Sequence, residues 1–206
     1  MRLLAKVCGL VQAGDVAQAA AMGADLLGLV CHPPSPRHCA ELTVAAPYLN
    51  RAVLVMVAEE AEAILAMARR HGFRRVQPYL PEAGCAAGVA QLRAAGLFVL
   101  LPWADEPHPV APAADLYLWE ASPAQTGVPG GSGQGHAMAF PPPGPFLLAG
   151  GLDASNLPGR LAALPGVVLS QLRGADAASR LEAAPGSKDP VKVSAFISSV
   201  HEREFA

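Results

Sequence analysis

The sequence predicts a parallel α/β fold with helices on both faces of one sheet, either closed as a single-domain (β/α)8 TIM barrel or open and doubly wound. Three observations predict it. Short apolar runs without polar alternation mark strands that are buried on both faces. Helical patterns stand between these runs, as βαβ units require. The 206 residues hold seven or eight such units, the lower end of the barrel size range.

The elements follow in order. "LLAKVCGL" (3–10) reads as the first strand, and "DVAQAAAMG" (15–23) as a helix stopped by glycine. "ADLLGLVC" and "RAVLVMVA" give the second and third strands. "EEAEAILAMARRHG" (59–72) is the clearest helix, with acids in its first turn, bases in its last and a terminal glycine, as the helix dipole favours. "RRVQPYL" is a fourth strand in which Pro78 supplies no ladder donor. "AAGVAQLRAAG" is a helix, "LFVLLPW" a fifth strand, "ADLYLWEA" a sixth and "GPFLLAGGL" a seventh. "DPVKVSAFISSVHEREF" closes the chain as a helix with Pro190 near its first turn. The Gly- and Pro-rich residues 122–144 read as a flexible connection or an active-site lid. No boundary divides the chain, so 1–206 is expected to be one domain.

Composition excludes several classes. Hydrophobic residues make up 52% and charged residues 16%, which argues against disorder. No apolar run reaches the roughly 18 residues of a membrane span. The N-terminus reads as a strand rather than a signal peptide. A net charge of -2 offers no basic field for nucleic acid. Four scattered cysteines fit free thiols in a cytoplasmic protein.

Ligands of parallel α/β folds meet the C-terminal ends of the strands, so the chemistry is sought there. Cys8 ends the first strand, with Lys6 two residues back on the same face. Either the ammonium favours a thiolate there, or Cys8 is a small buried filler. In "LLAGGLDASN", Gly150 and Gly151 let backbone N–H groups approach an anion, with Ser155 or Asp153 capping the helix; a plain βα turn is the alternative. "GVPGGSGQG" lacks the Lys-Ser/Thr ending of a nucleotide-binding P-loop. "CHPPSPRHC" holds metal-capable residues, yet its spacing matches no common zinc site. Neighbouring strand residues such as Cys31 and His32 also point to opposite faces. The other reading is a proline-stiffened loop that aims Arg37 at a carboxylate.

Together these motifs resemble one family in order and spacing, phosphoribosylanthranilate isomerase, over nearly the whole chain. "KVCGL" is similar to its opening strand and "GADLLGLVCHPPSPRH" to its second strand and Ser-Pro-Arg loop. "RVQPYLPE" stands where the family has Val-Gln-Leu-His-Gly. "PFLLAGGLDASNL" resembles its seventh strand and phosphate loop, and "GADAASRLEAAPGSKDPVKVSAF" its closing segment. The resemblance implies a closed barrel and a cofactor-free, metal-free Amadori rearrangement of a small phosphoribosyl substrate, in a monomer or homodimer. An acid protonates the ribose ring oxygen and a base removes the proton from C2. It implies Cys8 as the base. The acid falls on Glu120 when counted from Asp115, or on Trp119 when strand residues alone are counted, where the family carries aspartate. Arg37 would hold the anthranilate carboxylate. Tyr79 replaces a substrate-side histidine. Gly150, Gly151, Ser179 and Arg180 would form the phosphate site, although Arg180 stands where the family has glycine and either binds the phosphate or blocks its loop. Because Glu120, Tyr79 and Arg180 depart together, a non-catalytic relative binding a small phosphorylated ligand is the alternative.

Overall fold

Each of the seven predicted apolar runs becomes a strand in the computed structural model, which describes residues 2–108, 111–122 and 135–203, and an eighth strand that was not predicted, Leu172–Ala177, joins them. They are β1 (Leu4–Cys8), β2 (Leu26–Cys31), β3 (Ala52–Val57), β4 (Arg75–Tyr79), β5 (Phe98–Ala104), β6 (Leu116–Glu120), β7 (Phe146–Leu148) and β8 (Leu172–Ala177). All pair in parallel with their sequence neighbours, and β1 also pairs with β8, so the sheet closes into a barrel. Closure removes both sheet edges and excludes the open doubly wound alternative. Pro78 sits inside β4 opposite Met56 without ending the strand.

Alternation along the strands makes two cores. Leu26, Val53, Leu100, Leu116, Leu118, Leu147 and Ala149 fill the barrel interior. The intervening residues, such as Val7, Leu27, Leu54, Val76 and Leu148, pack outward against the helices. The outer layer includes α1 (Ala13–Ala21), α2 (Ala61–His71), α3 (Glu82–Ala94), the short α4 (Leu157–Ala162) and α5 (Gly166–Leu169), and the closing α6 (Pro190–His201). In α2 the buried Ala61, Ile64, Leu65 and Ala68 form one stripe, and Gly72 ends the helix at φ 77°. In α6, Pro190 occupies the first turn while Asp189 accepts from the Val191 and Lys192 N–H groups. Its buried Val193, Phe196, Ile197 and Val200 lie at helical spacing.

Two local expectations are corrected. The first helix runs over Ala13–Ala21 rather than 15–23, and the Asp15 carboxylate accepts the Lys188 N–H. Neither Asp153 nor Ser155 caps α4. Asp153 takes the N–H groups of Ser155 and Asn156 in a turn just before it, and the helix starts one residue later.

Among the described residues, no helix lies between β5 and β6 or between β6 and β7. Aromatic side chains cover part of that wall. Trp103 stacks on His108 with ring centroids 3.8 Å apart, meets Tyr117 edge-on and donates to the Phe140 carbonyl. Asp105 accepts from the Trp119 indole at 3.2 Å and from the Phe140 N–H at 2.8 Å, with His136 Nδ1 3.2 Å from its other oxygen. The expected 122–144 lid falls largely on residues 123–134, outside the described ones.

Candidate active site

The period of two in each strand decides which side chains enter the barrel mouth. On β1 it turns Lys6 and Cys8 inward, on β4 Gln77 and Tyr79, on β6 Leu118 and Glu120, and on β8 Asp176. Cys8, Gln77, Tyr79, Glu120 and Asp176 line one cavity of about 80 Å³, with Arg37 on its rim. The ambiguity on β6 is thereby resolved. Trp119 points outward, fully buried against Phe146 and His136, and Glu120 points in. Gly28 on β2 makes room for the thiol, because a Cβ there would stand 2.7 Å from Cys8 Sγ.

Beneath the cavity, Lys6 Nζ donates to Asp176 Oδ1 at 2.7 Å, and the lysine has no exposed surface. Burial opposes its charge, but Asp176 and then Cys8 outweigh burial and raise its pKa, so it remains an ammonium. The expected effect of Lys6 on Cys8 is present but loses. Burial pushes the thiol above its ordinary value, Lys6 pulls it down and Asp176 pushes it up again. The resting group is a thiol.

Glu120 sits opposite. Burial lifts its carboxyl to about 8, Tyr79 pulls it back, Asp176 raises it and Lys6 lowers it. A carboxylic acid that keeps its proton at neutral pH has the protonation state of a general acid. The Tyr79 hydroxyl lies 3.0 and 3.2 Å from the two carboxyl oxygens and accepts from Gln77 Nε2 at 3.1 Å. On the far side of Tyr79 and Glu120 a second cavity of about 590 Å³ opens, walled by Leu80, Leu101, Pro102, Trp103 and His108.

The Ser-Pro-Arg loop does carry Arg37 to the mouth, but its fork does not wait open. Nε and one terminal nitrogen grip the two oxygens of Glu182 at 2.7 and 2.9 Å. Glu182 also accepts from Lys188 Nζ at 3.1 Å. Two cations therefore share one carboxylate, and this rim keeps one net positive charge. A guanidinium has five N–H donors, so Arg37 retains donors for a second anion. Among the described residues no cluster of three His, Cys, Asp or Glu side chains is arranged to hold a metal ion.

Gly150, Gly151, Ser179 and Arg180 do not line the small cavity. They follow β7 and β8, the two strands between β6 and β1, on the same end of the barrel. Gly150 and Gly151 have φ of 89° and 61°, a backbone conformation open to glycine at low cost. Arg180 leans across to Asp153, 3.1 Å away, and ties the two loops together.

Sequence reasoning named Lys6 only as a neighbour of the thiol and passed over Asp176, Glu182 and Lys188. The signal for the last three lay in the quoted "GADAASRLEAAPGSKD", which carries five charged residues, Asp176, Arg180, Glu182, Lys188 and Asp189, in one short segment at and after the end of β8. Part of it folds as an unexpected hairpin of β9 (Glu182–Ala184) and β10 (Ser187–Lys188), which presents both charges to Arg37.

Fold and site define a class: a (β/α)8 barrel whose strand ends gather a thiol, a protonated carboxyl and a cationic rim around one cavity. No family model matches the chain. Individual proteins match it over nearly its full length. It is 36% identical to the N-(5'-phosphoribosyl)anthranilate isomerase of Azorhizobium caulinodans, over 100% of this chain and 95% of that one. It is 33% identical to the isomerase of the same name from Desulfovibrio desulfuricans, over 95% and 94%. Among solved structures, TrpF from Jonesia denitrificans superposes with a TM-score of 0.74 at 28% identity, covering 96% of each chain. The chain belongs to the phosphoribosylanthranilate isomerase family.

Proposed function

We propose that this chain converts N-(5'-phosphoribosyl)anthranilate to its aminoketose in tryptophan biosynthesis, as a cytoplasmic enzyme without cofactor. One observation carries the reading: Cys8 on β1 and Glu120 on β6 line the same cavity at the strand C-termini. Glu120 gives its proton to the ribose ring oxygen. The C1–O bond breaks toward that oxygen while the nitrogen lone pair forms a protonated imine. The imine's positive charge acidifies C2–H, and Cys8, having released its own proton to water, takes the C2 proton as a thiolate. The C2–H electrons become the C1–C2 double bond of an enolamine, which tautomerises to the ketone by losing the proton on its C2 oxygen and gaining one at C1.

Arg37 and Lys188, with one carboxylate between them, supply the positive rim for the anthranilate carboxylate. The loops after β7 and β8 take the phosphate, through the N–H groups of Gly150 and Gly151 with Ser179 and Arg180 beside them. Loss of anthranilate-substrate fluorescence on adding purified protein tests the reading. Turnover above buffer supports it. Binding of the phosphorylated compound by calorimetry without turnover replaces it with the ligand-binding alternative.

A further inference from the structure

Glu120 is a poor acid in one respect. A carboxyl buried this completely resists becoming a carboxylate, and proton donation requires that change. Whatever lowers the cost of the charge left behind speeds the donation. Four groups face Glu120 inside the barrel. Asp176 on β8 opposes a new negative charge. Lys6 on β1 favours it but is held by Asp176 at 2.7 Å. Cys8 on β1 is a neutral thiol at rest. Tyr79 on β4 is the group in direct contact, 3.0 and 3.2 Å from the two oxygens.

The orientation of the phenol is fixed from behind. Gln77 Nε2 is a donor only, and at 3.1 Å it occupies a lone pair of the Tyr79 oxygen. The phenolic proton is thereby free to point at Glu120. Gln77 and Tyr79 stand two residues apart on one strand, so β4 itself sets their spacing. A hydroxyl bond to a charged group is roughly twice as strong as one to a neutral carboxyl. The Tyr79 bond therefore strengthens as Glu120 gives up its proton, and an interaction that grows along the reaction coordinate accelerates it.

We propose that Tyr79, aligned by Gln77, is a positioning residue that stabilises the Glu120 carboxylate as it forms and so makes a buried carboxyl a usable acid. This rests on the assignment of Glu120 as the proton donor. Tyr79 acts through Glu120 and not on the substrate.

The test is Tyr79→Phe, which keeps the ring and removes the hydroxyl. The expected kcat falls about tenfold, the size of one lost charge-assisted increment, while KM changes by less than about twofold. The lower break of the pH–rate profile moves upward from about 8, because the group that pulls Glu120 down is gone. Infrared titration of the protonated Glu120 carboxyl, identified by its loss in Glu120→Gln, gives the same shift without turnover. That measurement separates failure of this inference from failure of the isomerase reading. Gln77→Leu is the second variant, with a smaller shift of the same sign. Unchanged kcat and an unchanged carboxyl titration in Tyr79→Phe overturn the proposal. A rise in KM alone also overturns it and makes Tyr79 a substrate contact.

Discussion

The inner wall of the reaction cavity and the rim after β7 and β8 are built on opposite plans. The inner wall is made of strand residues. Lys6, Cys8, Gln77, Glu120 and Asp176 are all buried, and each is held by pairing with neighbouring strands. The rim is made of loop backbone tied by the ion pair of Arg180 to Asp153, whose side chains keep 48% and 22% of their surface. The difference teaches where precision is needed. Proton transfer tolerates little displacement, so its groups sit on the rigid sheet. A phosphate can be met by several backbone donors, so its site can rest on loops.

The largest expected effect strikes the inner wall. Cys8→Ala should lower kcat by about a thousandfold or more, within the range of general-base losses. Calorimetry should still show binding of a substrate analogue, and a kcat within tenfold of wild type would remove the thiol from the reaction. Lys6→Met comes next. It leaves the Asp176 carboxylate buried without its partner, which costs about 3–5 kcal/mol. Urea denaturation reads that loss, and a change below about 1 kcal/mol would show the pair to be better hydrated than its burial indicates.

The pH profile sharpens the same comparison. Glu120 must be protonated, and its break lies at about 8. Cys8 must be ionised, and burial has raised its pKa. With the acid titrating below the base, kcat/KM should rise roughly tenfold per pH unit below about 8, level off, and fall only once the thiol titrates. A profile that falls from pH 6 upward would contradict the two roles. The smallest effect belongs to the rim. Arg180→Ala should change stability by about 1 kcal/mol or less, because its ion pair is exposed. If Arg180 meets the phosphate, KM rises several-fold with kcat unchanged, whereas a fall in KM shows that the side chain obstructs the loop.

What the sequence revealed follows from the range of each interaction. Strand and helix positions were legible because burial on two faces and helical caps are local signals. Cys8 and Lys6 were legible as a pair because two positions along a strand share a face. Glu120 against Trp119 was not settled locally, since neighbouring residues exchange roles with a one-residue shift; the β5–β6 register and the indole bond to Asp105 decide it. The grip of Glu182 on Arg37 joins residues 145 positions apart, and no periodicity announces it. The charge-bearing hairpin escaped notice for the same reason, since its strands are too short to show a pattern.

The ion pair between Lys6 and Asp176 has a consequence for biosynthesis. Its members are separated by 170 positions, and the strands that carry them are the first and last to close the ring. During synthesis the lysine must wait for a strand 170 positions later in the chain before it finds its carboxylate. Contacts this distant are slow to form, so the barrel's last seam is the step at which aggregation competes with completion.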